Sequence, residues 1–88
     1  MEIQKKGTVL IQFSADWCGP CKAMKSIVEE FKEKSSVTVQ KVNVDSESDI
    51  AQKYGVRSIP CFIVLKDGEQ IERKLGTQTL AQLLELVK

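Results

Sequence analysis

The sequence predicts an α/β fold in which a four-stranded mixed sheet carries helices on both faces, a three-layer α/β/α sandwich. Residues Thr8 to Phe13 form a nearly continuous apolar run, typical of a strand buried on both faces. From Pro20 to Lys34 apolar side chains recur every three or four positions, as in a helix that connects parallel strands. Asp67-Gly68 is a hairpin turn signal between two later strand patterns. A parallel βαβ unit followed by a hairpin gives the mixed sheet, with the order β-α-β-α-β-β-α.

Length, charge and hydropathy exclude several classes of protein. The 88 residues suffice for one domain, 1–88, and not for two. Thirteen basic and 12 acidic residues give a net charge of +1, which provides no electrostatic footprint for nucleic acid or an anionic membrane. No segment approaches the ~20 apolar residues of a membrane span, and no secretory signal is visible.

The first strand and helix are the clearest elements. Gln12 is the only polar residue inside the first strand. Pro20 suits the first turn of a helix, where a missing N–H costs nothing. The apolar face of this helix comprises Ala23, Met24, Ile27, Val28 and Phe31.

The second strand runs from Val37 to Val44, and its apolar face changes along the strand. Val37 and Val39 face one way, and Val42 and Val44 face the other. Lys41 then lies on the face of Val37. A short helix begins within 46–49 and ends near Tyr54.

The last three elements follow from turn and cap signals. Cys61 to Leu65 is a buried strand, and Gln70 to Leu75 has the charged, intermittently apolar character of an edge strand that ends at Gly76. Thr79 and Gln82 have the spacing of a capping box. The helix that follows presents one apolar face, formed by Leu80, Leu83, Leu84 and Val87.

Two cysteines lie three residues apart where the first strand ends and the first helix begins, in Trp17-Cys18-Gly19-Pro20-Cys21. Thiols so placed can close and open a small disulfide ring, so the pattern predicts thiol–disulfide exchange. The alternatives are a pair of buried small apolar side chains and half of a zinc site. The absence of histidine excludes Cys-His and Ser-His catalysis, and three cysteines alone cannot complete a zinc site, so no metal is expected.

Further motifs surround this pair in a familiar order from Thr8 to the C-terminus. They are residues 15–22 (ADWCGPCK), 41–45 (KVNVD), 54–60 (YGVRSIP), 66–69 (KDGE) and 75–76 (LG). With these motifs the chain resembles a small member of the thioredoxin family. The resemblance implies a thioredoxin-like fold whose N-terminal strand and helix are missing, because only about seven residues precede the first strand.

The resemblance implies a thiol–disulfide oxidoreductase that reduces protein disulfides with no bound cofactor other than a Cys18–Cys21 disulfide. Cys18, at the start of the helix, is expected to be the nucleophile because free N–H groups and the helix dipole favour its thiolate. Cys21, which should lie deeper and be less exposed, then resolves the mixed disulfide.

The resemblance also implies a substrate-binding surface around the pair. Trp17 is expected to form a wall of the groove, although a partly buried core aromatic is the alternative. Gly19 allows close approach of a partner, and Pro20 stiffens the ring. The Ile59-Pro60 bond is expected to be cis and to turn the Ile59 backbone outward, whereas a lone X-Pro bond would more often be trans. Gly76 would complete the rim, or mark only a turn.

The resemblance also points to two positions, 12 and 41, that could modulate proton transfer. Gln12 occupies the position of the family's buried aspartate, and glutamine cannot accept a proton near neutral pH. Lys41 matches the family's lysine, which here lacks its carboxylate partner. Lys41 could act as a base if it were buried, and is otherwise a solvated lysine.

We therefore expect resolution of the mixed disulfide to be slow, because no carboxylate takes the proton of Cys21. Gln12→Asp should accelerate the single-turnover release of product at pH 7, measured by rapid mixing. A release rate that does not rise in this variant would contradict the expectation.

Cys61 stands where the family usually has threonine. It is interpreted either as a small buried side chain or as a third redox thiol near the pair.

The Gly-Pro dipeptide points to a reductant, so the implied partners are an NADPH-dependent flavoprotein thioredoxin reductase and disulfide-containing clients such as ribonucleotide reductase or peroxiredoxin. A cytoplasmic monomer without nucleic-acid or membrane partners is expected. Two alternatives remain open: a glutaredoxin-like reductase that uses glutathione, and a binding or scaffold module of the same fold that works without redox turnover.

Overall fold

Four strands form one sheet in a computed structural model that describes residues 1–88. They are β1 (Thr8–Ser14), β2 (Thr38–Asn43), β3 (Cys61–Lys66) and β4 (Glu69–Leu75). The order across the sheet is β2-β1-β3-β4. β1 pairs with β2 in parallel and with β3 in antiparallel orientation, and β3 pairs with β4 in antiparallel orientation. The predicted mixed sheet is confirmed, and the apolar first strand lies inside it.

Three helices cover the two faces of the sheet. They are α1 (Gly19–Lys34), α2 (Ser48–Lys53) and α3 (Leu80–Leu86). Buried side chains of α1 and α3 pack together on one face, and those of α2 pack on the other. The predicted order of elements and the three-layer arrangement are therefore confirmed. None of the helices is long and apolar enough to cross a membrane.

The core consists of one apolar layer on each side of the sheet, because side chains alternate along each strand. On the face of α1 and α3 it includes Leu10 and Phe62, both fully buried. On the face of α2 it includes Ile11 and Ile63. β2 follows the predicted change of face, since Val39 packs on the α1 side and Val42 on the α2 side.

The second helix begins inside the range 46–49 that the sequence pattern predicts. It starts at Ser48, with Glu47 as its N-cap residue. The side-chain oxygen of Asn43 accepts hydrogen bonds from the backbone N–H groups of Asp45 (2.9 Å) and Ser46 (3.2 Å). This side chain stabilises a turn in place of helix and also ends β2 at Asn43, short of the predicted Val44.

Smaller corrections concern the ends and faces of elements. β4 begins at Glu69, directly after a turn in which Asp67 and Gly68 both have positive φ, as the hairpin signal predicted. Ala23 of the predicted apolar face is exposed. The capping box at the start of α3 is present, with the Thr79 hydroxyl accepting from the Gln82 N–H at 3.1 Å and the Gln82 side chain accepting from the Thr79 N–H at 2.8 Å.

Residues 1–7 form neither helix nor strand. They run beside β2, where the Gln40 side chain accepts from the Gln4 N–H (2.7 Å) and donates to the Glu2 carbonyl (3.0 Å).

Candidate active site

Cys18 is the N-cap residue of α1. Its backbone is extended (φ −87°, ψ 108°), and its Sγ accepts a hydrogen bond from the backbone N–H of Cys21 at 3.1 Å. Gly19 and Pro20 occupy the first two helical positions, where an N–H has no partner within the helix. The sulfur of Cys18 therefore lies where the backbone of the first turn offers hydrogen-bond donors and the positive end of the helix dipole.

Cys18 and Cys21 are joined by a disulfide, with their Cα atoms 5.2 Å apart. The prediction that Cys21 is the less exposed cysteine is wrong, since the exposed fractions are 4% for Cys18 and 6% for Cys21. Both cysteines pack with Ala15 in a small cluster that Ile59 partly covers. Val44 also packs against this cluster, and the outer cysteine is buried as completely as the inner one. No group of three or more potential ligands that could hold a metal ion is present.

The Ile59-Pro60 loop packs against the disulfide. The Ile59–Pro60 bond is cis, as the resemblance implied, and the Ile59 side chain contacts the cysteine cluster. The backbone N–H and C=O groups of Ile59 make no hydrogen bond within the chain. The N–H of Gly76 donates to the carbonyl of Pro60 at 2.8 Å, which holds the end of β4 beside this loop.

Trp17 and Gly76 are at the surface near the pair. Trp17 is 68% exposed, so the alternative of a core aromatic is wrong. Its indole N–H donates to the Asp45 carboxylate at 2.8 Å, which fixes the orientation of the ring. Gly76 has φ +84°, a conformation that disfavours other residues, and a Cβ built on it would meet nothing within 4 Å. Trp17 is therefore exposed beside Cys18, and Gly76 is held beside the Ile59-Pro60 loop by its hydrogen bond to Pro60.

Gln12 and Lys41 are directly opposite each other in the parallel pair of β1 and β2. Gln12 is buried, with 4% of its surface exposed, whereas Lys41 is exposed. Both line a small cavity of about 100 Å³ between α1 and the sheet. Because Lys41 is exposed, the desolvation that a lysine base requires is missing.

A larger cleft opens on the same side of the sheet, beside Cys21. It has a volume of about 390 Å³, and its lining includes Cys21, Lys22, Lys25 and Lys41. We refer to these four residues as the lysine cleft. Lys22 and Lys25 were not predicted as site residues, although the spacing of Cys21 and Lys25, four positions apart on a helix, indicates that they share a face.

Asp45 is another residue that the sequence pattern did not single out. It follows the carboxyl end of β2, and Trp17 follows the carboxyl end of β1. Parallel neighbouring strands end at the same edge of a sheet, so this pairing had a signal in the predicted topology.

Cys61 is a free, fully buried cysteine at the start of β3. Burial raises the pKa of the Cys61 thiol above its ordinary value, and the nearby Arg73 guanidinium opposes this by charge and by a hydrogen bond. Arg73 also donates a hydrogen bond to the carbonyl of Tyr54. Cys61 belongs to the core layer under α2 and not to the cysteine cluster, which favours its interpretation as a small buried side chain.

The buried thiol predicts a loss of stability at alkaline pH. A pKa raised by folding contributes stability that is present below the ordinary pKa of 9.0 and is lost as pH rises toward the folded-state value. One proton changes the free energy of unfolding by at most about 1.4 kcal/mol per pH unit. We expect the free energy of unfolding, measured with urea between pH 7 and 10.5, to fall more steeply with pH in the protein that has Cys61 than in the Cys61→Ala variant. Both proteins should carry Cys18→Ala and Cys21→Ala, which prevents disulfide exchange. Parallel curves for the two would contradict this role of Cys61.

Comparison with known proteins agrees with this geometry. The family model described as Thioredoxin matches residues 1–88. Thioredoxin from Chlamydia caviae is 44% identical over 82 residues, which are 92% of this chain and 80% of that protein. Thioredoxin from Bacillus subtilis is 43% identical over 84 residues, 93% of this chain and 81% of that protein.

Solved structures show the same architecture. A mutant thioredoxin from Halobacterium salinarum NRC-1 has a TM-score of 0.89 and 39% identity, with 93% of this chain and 73% of that chain covered. Thioredoxin from Schistosoma mansoni has a TM-score of 0.88 and 34% identity, with 94% and 76% covered. With a disulfide between the two cysteines at the start of α1, these similarities show that the chain belongs to the thioredoxin family and is a protein-disulfide reductase, a thiol–disulfide oxidoreductase whose redox pair is Cys18–Cys21.

Proposed function

We propose that the protein is a dithiol electron carrier in which Cys18 attacks the substrate and Cys21 resolves the product. The observation that carries this assignment is the N-cap position of Cys18, whose Sγ accepts the N–H of Cys21 at 3.1 Å. In the reduced protein the same N–H groups would favour the Cys18 thiolate. Cys21 lies within the first turn and receives no comparable cap.

The reaction divides into two exchanges. The Cys18 thiolate attacks one sulfur of a substrate disulfide, forming a mixed disulfide while the other substrate sulfur leaves as a thiolate. Cys21 then loses its proton to solvent and attacks the Sγ of Cys18, which releases the second substrate sulfur. The substrate gains two electrons, and the protein is left with the Cys18–Cys21 disulfide.

The surface from Trp17 to Gly76 is the proposed substrate groove. An extended substrate segment can pair with the free N–H and C=O of Ile59 beside Pro60, close to the disulfide. Trp17 provides an exposed apolar wall, and the absence of a side chain at Gly76 leaves room at the other end. Gly19 also faces open space, so a partner's backbone can approach the sulfur of Cys18.

The finer assignments are proposals as well. Electrons would come from an NADPH-dependent thioredoxin reductase and pass to protein disulfides such as those of ribonucleotide reductase or peroxiredoxin. A reductant of this kind works in a reducing compartment, so we place it in the cytoplasm, and the free cysteine Cys61 is compatible with that location. We further propose that residues 1–88 act as one domain and as a monomer, which size-exclusion chromatography with light scattering would test.

The deciding experiment is reduction of insulin disulfides coupled to NADPH oxidation. Thioredoxin reductase is compared with glutathione plus glutathione reductase at equal NADPH. We expect catalytic turnover with thioredoxin reductase and little with glutathione. Turnover with glutathione alone would favour the glutaredoxin-like alternative, and no turnover with either donor would refute the proposed electron carrier.

A further inference from the structure

The positive charges of the lysine cleft are largely uncompensated. Asp16 is the only carboxylate that lines the cleft, and it faces Lys22, Lys25 and Lys41. None of these three lysines has a carboxylate within ion-pairing distance, since the ion pairs of the chain involve Lys32, Lys88 and the N-terminus. The cleft beside Cys21 therefore carries an excess of positive charge.

Lys25 and Lys41 also line the adjoining small cavity that contains Gln12. The only acidic residue there is Glu29, which pairs with Lys32 at 3.9 Å. Gln12 is buried and neutral, so it neither offsets the two lysines nor accepts a proton at neutral pH. The two cavities thus bring the same pair of cations beside both Cys21 and the neutral glutamine.

We propose that Lys25 and Lys41 are positioning residues that stabilise the thiolate of Cys21 through space when it resolves the mixed disulfide. This inference rests on the proposed roles of Cys18 and Cys21. In the step concerned, Cys21 gives its proton to solvent, its thiolate bonds to the Sγ of Cys18, and the substrate sulfur leaves with the electron pair of the broken bond. The route needs no proton acceptor at position 12.

All but one of the charged groups that line the cleft are positive and favour the thiolate form of Cys21. Lys22 and Lys25 come from α1 and Lys41 from β2, whereas the β1–α1 connection contributes the single carboxylate, Asp16. Asp16 accepts a hydrogen bond from the Asn43 side chain at 3.4 Å. A cation near a thiol favours its charged form, and partial exposure to solvent weakens the effect.

The test follows the two phases in which the reduced protein reacts with 4,4′-dithiodipyridine, a neutral aromatic disulfide. Cys18 releases one thiopyridone in a phase whose rate depends on concentration. Cys21 then releases the second in an intramolecular phase.

All proteins carry Cys61→Ala so that only two thiols react. The variants are Lys25→Gln and Lys41→Gln, singly and together, with Lys25→Arg and Lys41→Arg as conservative replacements. Lys34→Gln is the matched control, because it removes the same charge about 14 Å farther along α1 than Lys25.

We expect each glutamine variant to slow the second phase at pH 7 by about threefold to tenfold and to raise the midpoint of its pH dependence. The arginine variants and Lys34→Gln should retain the wild-type rate of the second phase. Added salt should slow this phase more in the wild-type protein than in the double variant. An unchanged second phase in the double variant would overturn the proposal, as would an equal slowing of both phases.

A second reagent separates thiolate stabilisation from binding of an anion in the cleft. Ellman's reagent carries carboxylates, so an effect seen with it and absent with dithiodipyridine would mean that the lysines bind the reagent, and the proposal would fail. If no first phase occurs at all, the proposed role of Cys18 fails. If both phases occur without a lysine effect, only this inference fails.

Discussion

Replacing Cys18 with serine is expected to reduce insulin reduction to the rate without protein. Only a thiolate attacks a disulfide at neutral pH, and a serine hydroxyl at the same N-cap position does not ionise there. The fold should persist, because serine is a favourable N-cap residue. The measurement is the NADPH-coupled assay with thioredoxin reductase, accompanied by circular dichroism of the variant.

Cys61→Ala provides the matched control for this result. It removes a sulfur from the core layer under α2 and leaves the cysteine cluster intact, so turnover should be retained. Residual turnover by Cys18→Ser would contradict the assignment of the nucleophile, and loss of turnover in Cys61→Ala would revive the interpretation of a third redox thiol. If a partner protein bound the Cys18→Ser variant as tightly as it binds the wild-type protein, the result would support the alternative of a scaffold module.

Replacing Cys21 with serine should trap the mixed disulfide. The first exchange depends on Cys18 and continues, but no second thiol is available to displace the substrate. In a Cys61→Ala background we expect one equivalent of thiopyridone from dithiodipyridine in place of two. Mass spectrometry should find the remaining group on Cys18, and catalytic turnover of insulin should be lost.

Two outcomes would contradict this assignment of roles. Release of two equivalents by Cys21→Ser would show that another group resolves the intermediate. An adduct on Cys21 in the Cys18→Ser variant, formed as fast as the adduct on Cys18 in the reciprocal variant, would show that the two thiols do not differ in reactivity. The pair of variants therefore tests the order of attack separately from activity.

The order of elements could be predicted because it depends on patterns that are local in the chain. The apolar run of β1, the helical repeat of α1 and the Asp67-Gly68 turn each carry a backbone preference that the folded protein retains. The end of β2 was placed one residue too late, at Val44, because the Asn43 side chain accepts two backbone N–H groups and stabilises a turn. Propensity alone does not reveal that competition.

The candidate site was also predicted only in part. Its two cysteines and the cis Ile59–Pro60 loop were predicted from motifs and the family resemblance. The burial of Cys18 was not, because Val44 and Ile59, which pack against the cysteine cluster, are distant from Cys18 in the chain. The sharing of two cavities by Lys25 and Lys41 was also missed, since the two lysines come from different elements, α1 and β2.

The reacting atoms and the local structure that holds them follow from the amino-acid sequence alone: a pair of sulfurs lies at the start of a helix that follows a buried strand. Their environment depends on the folded protein, because solvent exposure and electrostatic potential depend on every group within a few ångströms, whatever its distance along the chain. Ile59 covers the disulfide, Asp45 orients Trp17, and two lysines from different elements lie beside Cys21 and a neutral Gln12. Apart from Lys25, which shares a helix face with Cys21, these neighbours come from distant segments of the chain and are set by tertiary packing.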